Sequence, residues 1–263
     1  DAFVMDVSDP DLTLLKLIFS EPVDADAINM TAITFQNRYA SRDGVQYRLT
    51  GGTVVSTSLS EVLISLLPSD VTAMQLIPEL IRTKQTAYLV IDRGMTVDLA
   101  GNELIPYLDG AALSCLSFIR DSSAPKIIQS IFSANAGTLT FVFNEPVVLA
   151  TVDVTALTIQ LPVSLGGTAL VSFSNNFARY TLTSLSYVSD PDSLSKTMVI
   201  NLAQSDQDEL KNRYPIMSSK SDTWFSYSPL FVEDTAGNPI QRVLSTAPVQ
   251  VTDFILDSTR PTV

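Results

Sequence analysis

Hydrophobic and polar residues alternate along Thr138-Leu139-Thr140-Phe141-Val142-Phe143, sending Leu139, Phe141 and Phe143 to one face and mostly threonine to the other. A period of two marks a half-buried strand. Leu15, Leu17 and Phe19 hold the matching places earlier in the chain, but there the opposite face carries Leu14 and Ile18 around Lys16. That face is expected to be covered by a neighbour. Further strands are predicted at Ile33 to Phe35 and Leu157 to Ile159, at Val62 to Leu66 and Met198 to Leu202, and at Tyr88 to Ile91 and Trp224 to Tyr227. Only Asp70 to Pro78 and Asp206 to Lys211 have helical composition, each enough for a short helical turn after an Asp cap. The remaining short runs, rich in Val, Ile, Thr and Phe and punctuated by Gly, Pro, Asn and Asp, have the pattern of an antiparallel β-sandwich.

These matches are not scattered. Phe19-Ser20-Glu21-Pro22-Val23 returns as Phe143-Asn144-Glu145-Pro146-Val147, an offset of 124 residues. Asp98-Leu99-Ala100-Gly101-Asn102 returns as Asp234-Thr235-Ala236-Gly237-Asn238, and Asp121-Ser122-Ser123-Ala124-Pro125 as Asp257-Ser258-Thr259-Arg260-Pro261, both at an offset of 136. Self-similarity at a fixed period is the mark of a repeat architecture, here with units large enough to bury a core each. The expected domains are 1–121, a first repeat whose N-terminal junction is missing, and 122–256, a second repeat. Residues 257–263 read as a linker or the start of a third, and more repeats are expected on both sides. The second repeat is longer between Gln160 and Tyr180 and again before Met198, so insertion loops are expected at 161–179 and 184–196.

Composition narrows the function. A net charge of −12 with no basic run argues against nucleic acid and against an anionic membrane surface. Charged residues make up only 17% of the chain and mean hydropathy is +0.24, so the cores are large or apolar surface is covered by neighbours. With no histidine and a single cysteine, Cys115, there is no disulfide framework, no zinc finger and no Ser-His-Asp or Cys-His machinery. Cys115 lies in a strand-like run and is expected to be a buried, inert thiol. No membrane span and no signal peptide are recognisable in this segment.

Three motifs in fixed order, twice over, resemble the bacterial-type immunoglobulin-like repeats of large surface and adhesion proteins. They are Phe-Ser/Asn-Glu-Pro-Val at the end of the second strand, the Asp-x-Ala-Gly-Asn turn, and the Asp-Ser-x-x-Pro junction. The resemblance covers essentially the whole chain. It implies two tandem immunoglobulin-like antiparallel β-sandwiches without the immunoglobulin cysteine pair, extracellular or at a cell surface, acting as a stalk, spacer or adhesive segment.

The recurring acids are the candidate ligands. If the second strand, the Asp-x-Ala-Gly-Asn turn and the entering linker meet at one pole, then Asp121, Glu145, Asp234 and Asn238 converge at the top of the second repeat, with Asp70 facing them. Hard oxygen ligands of this kind suit Ca2+. Glu21, Asp98 and Asn102 are the incomplete equivalent in the first repeat. The competing reading is a turn whose Asp binds backbone amides while Gly supplies a positive φ. Asn29-Met30-Thr31 is an acceptor sequon for a glycan in a eukaryotic secretory pathway. No pair of acids with an aromatic platform speaks for glycoside hydrolysis, so no enzyme is expected. The reading is a structural repeat segment of a surface filament, appendage or adhesin stalk, contacting neighbouring repeats and self-associating. The alternative is a carbohydrate- or protein-binding adhesion module using the insertion loops of the second repeat.

Overall fold

The computed structural model describes residues 1–9, 12–40, 44–58, 60–162 and 179–258. The chain divides into two compact units, Asp1–Ser123 and Ala124–Val263, and among the described residues it is all-β apart from two short α-helices and single 3-10 turns.

Unit 1 contains β1 (Ala2–Asp6), β2 (Leu14–Ile18), β3 (Ile33–Gln36), β4 (Gln46–Arg48), β5 (Gly52–Ser58), β6 (Glu61–Leu66), α1 (Pro68–Gln75), β7 (Tyr88–Ile91) and β8 (Leu113–Ile119). The strands form one sheet in the order β4-β3-β7-β8-β1-β2-β6-β5. Period-two alternation decides what goes inside: Phe3 and Met5, Leu15 and Leu17, and Val62, Ile64 and Leu66 are buried, and the residues between them are not. β8 turns the sheet on itself, because Leu113 and Ser114 pair antiparallel with β7 while Cys115 to Ile119 run parallel to β1. Ile33, Phe35, Leu89 and Ile91 from the far end therefore enter the same core as Phe3 and Leu15. Cys115 lies within that core, and burial pushes its thiol pKa up. On the outer face Leu14 and Ile18 are half-buried, and Lys16 bridges Glu61 at 2.7 Å.

Unit 2 contains β9 (Ile127–Ser133), β10 (Thr138–Val148), β11 (Leu157–Gln160), β12 (Arg179–Thr181), β13 (Tyr187–Val188), β14 (Leu194–Asn201), α2 (Gln204–Asn212), β15 (Trp224–Tyr227), β16 (Glu233–Asp234), β17 (Val249–Gln250) and β18 (Asp253–Ile255). The order in one sheet is β13-β14-β10-β9-β18, with β16 on β10, and in the other β12-β11-β15-β17. The run that is one strand in unit 1 is split here around Val251-Thr252, so β17 serves one sheet and β18 the other. Both sheets feed one core, in which Phe141 meets Phe225 and Phe231 edge to face at centroid distances of 5.4 and 5.7 Å.

β10 runs on through Glu145 and Pro146 to Val148, held by Asp234 opposite Val147, so the second copy of the Phe-Ser/Asn-Glu-Pro-Val run forms the end of that strand. Two expectations change. The helices have eight and nine residues, and their caps are Leu67 and Ala203, without side-chain bonds. Asp70 and Asp206 sit in the first turns and spend their carboxylates elsewhere. Of the expected insertion loops, 163–178 lies outside the described residues, and 184–196 is not loop throughout, because it holds β13 and the start of β14.

Replacing Phe141 by Ala removes the ring on which Phe225 and Phe231 rest and costs unit 2 about 3–5 kcal/mol. Urea unfolding followed by fluorescence of Trp224, the chain's one tryptophan, reads this directly, and an unmoved midpoint would contradict the packing described.

Candidate functional site

The Asp-x-Ala-Gly-Asn turn has the same geometry in both units. In unit 2, Asp234 Oδ1 accepts the backbone N–H groups of Ala236 (2.7 Å) and Asn238 (2.8 Å), and Oδ2 accepts Asn238 Nδ2 (2.8 Å). In unit 1, Asp98 Oδ1 accepts the N–H groups of Ala100 and Asn102 (2.8 Å each), and Oδ2 accepts Asn102 Nδ2 (2.7 Å). The turn closes only because the glycine takes φ of 83° at Gly237 and 86° at Gly101, where a side chain is strained. The Asn102 side-chain bond, followed by backbone bonds, holds the Asp98 carboxyl below its usual range. Each aspartate is thus largely consumed in shaping its own loop.

The expected junction residues divide between the units. Glu145, Asp234 and Asn238 belong to unit 2, where ligand oxygens of the buried Glu145 and Asp234 lie within 4.8 Å of each other. Asp121 belongs to unit 1, is buried, and accepts the N–H of Ser123 at 2.8 Å. In unit 1, Glu21, Asp98 and Asn102 line one cavity of about 250 Å³ with Phe19, Val23 and Tyr107, and Glu21 is exposed. Asn29 is exposed, and its Oδ1 accepts both the N–H (3.1 Å) and the hydroxyl (2.7 Å) of Thr31, so the sequon doubles as the cap of a 3-10 turn. Asp153 makes the same two bonds to Thr155 in unit 2.

Asp70 was expected to face a metal, but its carboxylate is buried and occupied. It accepts the Tyr47 hydroxyl (2.9 Å), the Thr50 N–H (2.9 Å) and the Thr50 hydroxyl (2.6 Å). Asp206 repeats the arrangement with Tyr180 (2.7 Å), the N–H (3.1 Å) and hydroxyl (2.9 Å) of Thr183, and Ser186 (2.6 Å). These acids fasten the first turn of a helix to the strand and loop beside it. Burial pushes the Tyr180 phenol up to about 12, with the Asp206 bond and charge adding to it. For Asp206 itself burial works upward, but the bonds from Ser186, Tyr180 and Thr183 prevail and leave its carboxyl lowered. Tyr47, Thr50 and Asp70 each have a counterpart in Tyr180, Thr183 and Asp206, which is the signal in the sequence that joins the three.

No protein-family model and no curated protein matches this chain.

Asp206→Asn removes the charge that four donors are aimed at and destabilises unit 2 by about 3 kcal/mol at neutral pH. A depressed carboxyl stabilises above its unfolded pKa and loses that contribution as pH falls through its folded pKa. The gap between wild type and variant therefore begins to narrow as pH falls below about 4. Urea titrations on Trp224 fluorescence at neutral and acid pH measure the gap, and one that persists unchanged in acid would refute the assignment.

Proposed function

We propose that this chain is a non-catalytic structural segment of a long extracellular protein, built from tandem immunoglobulin-like sandwiches, that forms or supports a surface filament, appendage or stalk. The observation that carries this reading is what recurs between the units. The Tyr-Asp-Thr anchor and the self-bonded Asp-x-Ala-Gly-Asn turn are repeated bond for bond, the alternation of the core strands recurs with them, and all three hold backbone in place. A scaffold that is copied while its periphery varies is a spacer or assembly element.

The strand orders support the sandwich assignment. In each unit the last strand run pairs in parallel with β1 or β9 and antiparallel with β7 or β15, which brings two layers onto one core. A net charge of −12 keeps nucleic acid out of the list of partners, and among the described residues no helix is long and apolar enough to cross a membrane. Calcium enters as a part of this proposal, with Glu145 and Asp234 contributing oxygens and Asn238 beside them. Six to eight oxygens complete such a site, so the ion would draw on groups beyond these.

Light scattering across concentration, in Ca2+ and in chelator, tests the proposal. Self-association appears as mass rising with concentration, and its loss in chelator assigns Ca2+ a part. A constant monomer mass in both conditions would sink assembly and leave a passive spacer.

A further inference from the structure

The motif that the function above leaves unused is Asn29-Met30-Thr31, the one Asn-x-Ser/Thr sequence in the chain. Asn29 caps the 3-10 turn Met30–Ala32 in unit 1. Met30 and Ala32 are buried in the unit 1 core, while Asn29 and Thr31 are exposed. The backbone around them is pinned on three sides. The Asn29 N–H donates to the Met95 carbonyl (2.7 Å), the Ala32 N–H donates to the Asn29 carbonyl (3.1 Å), and Arg48 Nε donates to the Thr31 carbonyl.

The two ends of the Asn29 carboxamide are used differently. Oδ1 accepts the N–H (3.1 Å) and the hydroxyl (2.7 Å) of Thr31, whereas Nδ2, with its two N–H donors, has no protein partner among the described residues. Unit 2 shows what the turn itself requires. There Asp153 caps Val154–Ala156, its N–H donates to the Phe231 carbonyl (3.1 Å), and its Oδ1 accepts the N–H (2.9 Å) and the hydroxyl (2.6 Å) of Thr155. A carboxylate oxygen thus serves the cap as an amide oxygen does, and the fold has no need of a nitrogen at position 29. What the nitrogen adds is chemistry, because an exposed Asn amide with a hydroxyl two residues on is the acceptor of an N-linked glycan.

A glycan is bulky and hydrophilic, so a folded domain keeps one only at its surface, where the first sugar meets open space. Arg93 and Gly94, which lead into the Met95 that holds Asn29, are exposed, and nothing lies within 4 Å of where a Cβ on Gly94 would stand.

We propose that Asn29 carries an N-linked glycan. In the transfer, Asn29 Nδ2 attacks C1 of an oligosaccharide carried on a lipid diphosphate. The N–C1 bond forms, the C1–O bond breaks with its electron pair passing to the diphosphate, and the amide gives up one proton. The inference rests on the extracellular reading above and goes beyond it in naming a covalent modification and its position.

Secretion of the whole chain from eukaryotic cells, followed by tryptic digestion and mass spectrometry, tests it. Trypsin releases residues 17–38 as one fragment, which contains the sequon. The expected result is a hexosamine-containing mass on that fragment and, after enzymatic removal of the glycan in heavy-oxygen water, an aspartate bearing one heavy oxygen at position 29. Asn29→Asp, which keeps the cap in the way Asp153 does, abolishes the modification while circular dichroism stays unchanged. Thr31→Ala abolishes it although the amide remains. Asp153→Asn, which builds the same sequence and turn into unit 2, adds a second glycan. A secreted, folded chain with a bare 17–38 fragment overturns the proposal, as does sugar on that fragment that survives Asn29→Asp, or the same fragment found bare in the protein from its own source. Each of these leaves the structural reading standing, since light scattering tests that separately, and a glycosylated chain that never self-associates supports this proposal while sinking assembly.

Discussion

A carboxylate inside an apolar core is tolerable only when donors meet its oxygens, and that constraint organises both units of this chain. Asp206 sits at zero exposure with four donors on it, drawn from β12, from the loop that follows it and from the segment leading to β13. The helix that carries the acid has no side-chain cap and only nine residues, too few to be stable alone. Its position comes from the acid, because removing the acid leaves Tyr180, Thr183 and Ser186 without their acceptor at the moment when the helix loses its fastening. Asp70 imposes the same order on unit 1 with three donors. The strands on either side can then present alternating side chains to the core at fixed height.

The part of the fold that was legible in the sequence is the part governed by periodicity. Leu139, Phe141 and Phe143 alternate because β10 has one wet and one dry face, and the structure buries all three. The helix positions were legible too, within three residues, from composition alone. What recurrence left undecided was destination. Repetition marks Asp70/Asp206 and Asp98/Asp234 equally as part of the repeat, yet the first pair is met by donors from distant strands and loops and the second by donors of its own turn. Nothing local separates them, because the donors of Asp70 stand 20 and 23 residues away, at Thr50 and Tyr47. Their common recurrence was visible, but their convergence is a property of the folded chain.

The turn acids show the opposite lesson. Asp98 and Asp234 are each met by donors within four residues, all from their own pentapeptide, so this geometry follows from local chemistry alone. A turn that is satisfied internally persists whether or not anything binds near it. Recurrence of the motif is therefore explained by backbone closure before a ligand is invoked, and a cation beside Asp234 must compete with bonds of 2.7 and 2.8 Å already made.

Divergence between the units is concentrated where the scaffold leaves freedom. The core strands β6 and β14 keep the same inward pattern, while the strand beyond each is seven residues long in unit 1 and two in unit 2. A long neutral edge exposes a chain to unwanted pairing, and in a scaffold copied twice the second copy shows that a blunted form is compatible with the same core.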